Sequence, residues 1–118
     1  MVRYFLPFVL LIFIVGCHKD SVNNADRYYS AEIVDFDLNC SNCILKFAQD
    51  NATIKDLIGE SNNNYYHAIN LDKDTFKIGQ KLNVKLRKAN EDELTACINL
   101  YPSFDYLNVY ILNYQAGN

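Results

Sequence analysis

The chain has 118 residues, half of them hydrophobic and 21% charged, with 4 glycines and 2 prolines. Such a composition excludes a disordered chain and leaves no room for two domains of ordinary size. Lysine and arginine total 11 against 14 aspartate and glutamate, so no cationic surplus exists to release counterions from DNA or RNA, and no nucleic-acid partner is expected.

In chain order, the first element is a leader. Arg3 is followed by an apolar run from Tyr4 to Val15, broken only by Pro7, and then by Gly16 and Cys17. A spanning helix takes about 20 apolar residues, so this run is too short and matches the apolar region of a secretory signal peptide instead. Residues 18–26 are mostly polar without apolar periodicity and read as a tether.

From Tyr28 onward the pattern turns strand-like. Residues 31–38, 43–47 and 65–71 are rich in β-branched and aromatic side chains at strand length. Leu82, Val84 and Leu86 alternate with Lys81, Asn83, Lys85 and Arg87, and Leu107, Val109 and Ile111 alternate with Asn108, Tyr110 and Leu112. Leu94, Ala96, Ile98 and Leu100 alternate in the same way and predict a further strand. Asn, Asp, Ser and Gly clusters separate these runs and supply turns. Between the second and third runs, Ile54, Leu57 and Ile58 at helical spacing predict a short helix over 52–58, stopped at Gly59. The expected fold class is all-β with one short helix: a small OB-like β-barrel or sandwich of five to six strands.

The stretch Ile14-Val15-Gly16-Cys17 resembles the lipobox of bacterial lipoproteins. That resemblance implies removal of residues 1–16, a diacylglycerol on the Cys17 sulfur, acylation of the new amine, a lipidated tether over 17–27 and a single β domain over 28–118. Two or three acyl chains, at roughly 0.8 kcal/mol per buried CH₂, suffice for stable anchoring where one does not. The acidic balance of the rest of the chain does not favour adsorption to anionic lipid, so the lipid is the expected membrane contact. His18 stands where inner-membrane retention would call for Asp, which implies the outer membrane of the cell envelope rather than the inner. A second resemblance covers residues 31–112. Cys40, the strand Ile44-Leu45, Ile69-Asn70-Leu71, Phe76, Gly79 and Cys97 are similar to small OB-like lipoproteins of unassigned role, which carry Gly and an aromatic where this chain has Ser41 and Asn42.

With Cys17 assigned to lipid, Cys40, Cys43 and Cys97 remain. In an oxidising compartment one pair should be bridged. Closing the long loop to Cys97 is worth roughly 4 kcal/mol of chain entropy, against about 2 for a Cys40–Cys43 bridge. The expected clasp is therefore Cys97 with Cys40 or Cys43, and Cys40 is preferred because Cys43 shares a strand face with Leu45 and Phe47. The competing reading takes Cys40 and Cys43 as a redox dithiol, or as thiolates gripping a metal with Cys97 or His67. His67, beside Tyr65 and Tyr66, is expected to be a half-buried histidine rather than a ligand.

No Gly-x-Ser-x-Gly and no His-Glu-x-x-His motif is present, so no enzyme and no cofactor are expected. Asp35, Asp37, Asp72, Asp74, Asp92 and Glu93 read as solvated turn carboxylates, since Asp72-Lys73-Asp74 lacks the later ligands and the Gly of a calcium loop. Tyr106, Tyr110 and Tyr114 fall on one face by alternation and form a candidate binding face for an envelope protein or glycan, since tyrosine offers area and a hydroxyl at low entropic cost.

Overall fold

The computed structural model describes residues 26–117. The predicted leader, Cys17 and the tether up to residue 25 lie outside the described residues. Five strands, β1 (Tyr29–Asp37), β2 (Asn42–Phe47), β3 (Tyr65–Asp72), β4 (Lys81–Lys88) and β5 (Leu107–Ala116), close a barrel in the order β1-β2-β3-β5-β4. All neighbours are antiparallel except β3 and β5, which run parallel with Tyr66 opposite Leu107. This is a small OB-like barrel, with its helix between β2 and β3.

Alternation builds the interior. Tyr29, Ala31, Ile33, Cys43, Leu45, Phe47, Tyr66, Ala68, Leu82, Val84, Leu86, Val109 and Ile111 turn inward from the five strands and form one continuous core. The helix α1 (Asn51–Leu57) lies close to the predicted range, and Ile54, fully buried, with Ile58 packs against that core. Burying side chains of this size contributes roughly 1.5–3 kcal/mol each. Gly59 follows with φ 127°, where a Cβ would lie 2.9 Å from a Leu107 methyl. Its carbonyl accepts a 2.7 Å bond from the Tyr66 hydroxyl, which gives that buried phenol its partner.

Strand directions alternate, so the barrel has two distinct ends. The start of β1, the α1 connection and the β4–β5 junction lie at one end; the β1–β2 and β3–β4 turns lie at the other. β1 covers about 30 Å at 3.3 Å per residue between them. Three irregularities bend the wall. β1 bulges between Ile33 and Asp35, the β2–β3 register jumps between Asn42 and Cys43, and β5 gains a residue between Ile111 and Asn113. Above the short parallel pairing, Asn70 of β3 continues the ladder with its side chain: Oδ1 accepts from Ile111 N–H at 2.8 Å and Nδ2 donates to Ile111 C=O at 2.7 Å.

The strand predicted over Leu94–Leu100 is not formed. Residues 94–106 have no regular secondary structure, and only a 3₁₀ turn at Glu91–Glu93 precedes them. A closed barrel offers no edge to a sixth strand, so an alternating sequence here finds no ladder. Leu94, Ile98 and Leu100 are exposed, Leu100 to 79%.

Candidate functional site

Residues 89–106 leave β4 and re-enter β5 at one end of the barrel, yet Cys97 is disulfide-bonded to Cys40 in the β1–β2 turn at the other end. The segment therefore runs up the outer wall as a strap. Its base is held by Arg87, whose guanidinium donates to both Glu93 carboxylate oxygens at 2.7 and 2.8 Å and stacks on Tyr110 at 4.2 Å. That bidentate pair, with the Asn90 N–H, pulls the Glu93 carboxyl down to about 2. Its crest is held by Asn39, whose Oδ1 accepts the N–H groups of Leu100 and Tyr101 and whose Nδ2 donates to the Tyr101 carbonyl. Its return is held by Asn62 Nδ2 donating to Asp105 C=O and by Leu107 N–H donating to Ser61 Oγ.

The wall beneath the strap is shielded from solvent. Ile44 points away from the core face of β2, opposite His67 of β3, and is nevertheless fully buried. His67 lies in a cleft of about 240 Å³ lined by Asp37, Cys40, Asn42, Asn108 and strap residues Leu94, Thr95 and Cys97. Its Nδ1 meets Asn108 Oδ1 at 2.9 Å; its Nε2 contacts Asn42 Oδ1 and lies 3.4 Å from Asp37 Oδ2. Asn42 sits at the register jump, where its Oδ1 contacts His67 and its Nδ2 donates to Ile69 C=O at 3.2 Å. Burial lowers the His67 pKa from its ordinary value, against the pull of Asp37 and of the Asn108 bond.

Glu93, held by Arg87, and Asp37 both depart from the solvated turn carboxylates expected; Asp37 does so beside His67. It is buried, and its Oδ1 accepts the N–H groups of Asn39 and Cys40, an Asx turn that shapes the β1–β2 connection and leaves Oδ2 directed at His67. The preferred clasp, Cys40 with Cys97, is the one formed, 57 residues apart. The Cys40–Cys43 redox pair is not formed. Cys43 sits on the core face with its thiol fully buried, and burial pushes its pKa up to about 11. The proposed ligand set of Cys40, Cys43, Cys97 and His67 is corrected for the same reason: Cys43 faces away from His67, and Asp37 takes the place beside it. Asp37, Asn42 and Asn108 carried no motif. The one signal for them was Asp37 and Asn42 flanking a turn that contains a cysteine.

The three tyrosines do not form one row. The extra residue between Ile111 and Asn113 flips the alternation, since a one-residue slip moves every later side chain to the other face. Tyr114 is paired with core-facing Val84 and meets Phe76 edge-on at 5.2 Å. Tyr110 stacks on Arg87, and Tyr106 stacks on Phe104 and meets Tyr65. A second surface forms instead beside the strap crest, where Phe36, Leu38, Ile78, Tyr101, Pro102 and Phe104, with Asp35, line an apolar groove of about 350 Å³.

No helix among the described residues is long and apolar enough to cross a membrane. The chain matches no protein-family model, no curated protein and no solved structure.

Proposed function

We propose that this chain is a membrane-anchored cell-envelope lipoprotein whose barrel is a non-catalytic binding module for another envelope protein. The observation that carries the binding reading is the apolar groove at the strap crest. Three ties, the disulfide, the Asn39 bonds and the bidentate Arg87–Glu93 pair, hold the strap that forms one of its walls. A pre-ordered apolar surface loses little entropy on association. Its lining contains one charged residue, Asp35, and suits aliphatic or aromatic side chains of a protein better than a glycan, whose hydroxyls need polar partners.

Anchoring rests on Ile14-Val15-Gly16-Cys17, with Cys17 as the lipid attachment and residues 1–16 as the removed signal peptide. His18 favours the outer membrane. The geometry suits this arrangement. β1 begins at Tyr29 at one end of the barrel and the groove lies at the other, so a tether ahead of residue 28 would present the groove away from the lipid. No observation favours the Cys40–Cys43 redox alternative, since Cys40 is bonded elsewhere and Cys43 is buried.

The test is site-specific photo-crosslinking in a bacterial host, with the reactive residue at Phe104 in the groove or at Tyr28 on the far end. One defined envelope protein should be captured from Phe104 and not from Tyr28, and Tyr101→Ser should weaken the capture. Equal capture from both positions, or none from Phe104, overturns the binding reading. In the same cells, loss of fatty-acid labelling in Cys17→Ala supports the anchor, and unchanged labelling refutes it.

A further inference from the structure

We infer that reduction of the Cys40–Cys97 disulfide uncovers a zinc site built from Asp37, Cys40, His67 and Cys97. A ligand atom from each of Asp37, Cys40 and His67 lies within 4.8 Å of the others, and Cys97 is joined to Cys40. Two thiolates, one imidazole and one carboxylate make a donor set that zinc takes tetrahedrally, with metal–ligand bonds of about 2.0–2.3 Å. In such a tetrahedron neighbouring N and O ligands stand about 3.4 Å apart, the separation of His67 Nε2 and Asp37 Oδ2.

The surroundings are already those of a metal site. His67 Nδ1 is engaged by Asn108, which fixes the ring and directs Nε2 toward Asp37. The other oxygen of Asp37 is held by two backbone N–H groups, so Oδ2 is the atom left to bind. Partners of this kind orient metal ligands and typically change affinity by about 10–100-fold. The cleft of about 240 Å³ gives an ion a way in. In the disulfide form both sulfurs are bonded to each other and Asn42 Oδ1 occupies the approach to Nε2; metal coordination replaces that contact.

The chemistry balances with a dithiol as reductant. It delivers two electrons and two protons to the S–S bond and becomes a disulfide itself, leaving two thiols on the chain. Zinc binding then releases both thiol protons. Cys43 has no part in this, because its sulfur lies in the core.

The experiment uses the full-length chain in detergent, oxidised or reduced with a phosphine that does not bind zinc, and titrated with zinc against a chromogenic chelator. One zinc per reduced chain is expected, with none held by the oxidised chain. His67→Ala and Asp37→Asn should each weaken binding at least about 10-fold, while Cys43→Ala should leave it unchanged. Cobalt titration of the unaltered reduced chain gives a readout free of any folding defect in the variants: thiolate charge-transfer and tetrahedral ligand-field bands are expected. Equal binding by the oxidised chain, binding indifferent to both His67→Ala and Asp37→Asn, or an octahedral cobalt spectrum would each overturn the proposal.

Discussion

Asn39 holds Tyr101 as one strand holds another: its side-chain amide donates to the Tyr101 carbonyl and accepts the Tyr101 N–H, both at 2.9 Å. One side chain thus performs a ladder's work between two loops that are 62 residues apart. The same oxygen also takes the Leu100 N–H. Asn39→Ala should cost about 1 kcal/mol in unfolding free energy and speed amide exchange at Leu100 and Tyr101, while exchange in β4 changes little. Uniform exchange across the strap, with or without Asn39, would show that the disulfide alone orders the crest.

The disulfide and Asn39 restrain the same segment, so their effects should not add. Cys97→Ser should destabilise by up to about 4 kcal/mol through the unfolded chain, and the double variant with Asn39→Ala should cost less than the sum of the two. Denaturant titration of the four proteins measures the coupling.

His67 sets a pH dependence whose sign follows from burial. The folded pKa is lowered from 6.5, so below 6.5 the unfolded chain takes up a proton that the folded chain refuses. Stability should be full above 6.5 and fall as pH drops below it, until the folded pKa is reached. The urea midpoint of the oxidised protein is expected to be lower at about pH 5.5 than at about pH 7.5, and His67→Gln should reduce that difference.

Cys43 should behave as a core methyl group rather than a reagent. Its thiol is fully buried with a pKa of about 11, so native protein at neutral pH should resist alkylation and react only at the rate of unfolding. Reaction in step with that of an exposed model thiol would refute this.

The Arg87–Glu93 clip should fail in acid. Glu93 is held near 2, against an ordinary 4.5, so the pair's contribution is present above 4.5 and is lost as pH falls through 2. Arg87→Lys, which cannot span both carboxylate oxygens, should speed amide exchange at Glu93, whose N–H bonds to Asn90.

β4 and the first half of β5 were readable from an inside–outside alternation set by a single interior, with Leu82-Val84-Leu86 the plainest case, and β1, β2 and β3 from strand-length runs of β-branched and aromatic side chains. Leu94–Leu100 has the same alternation and no strand, because period-two patterning records which side is apolar and says nothing of whether a ladder partner exists. The clasp was readable from loop length and from Cys43 sharing the face of Leu45 and Phe47. Asp37 and Asn42 were not, since their roles arise from an Asx turn and a register jump that place them beside a strand distant in sequence. Tyr114 was misplaced by a single inserted residue in β5, which leaves no mark on a local hydrophobic pattern.

The position of β5 between β3 and β4 makes the last ten-residue strand the keystone of the wall. Without it two strands keep bare edges and Asn70 has no backbone to grip. A chain emerging from its N-terminus can build hairpins early, but it cannot seal its interior until β5 arrives. Closure is thereby tied to β5: a chain cut short of Leu107 stays open and visible to proteases, and only one that includes this strand becomes a barrel.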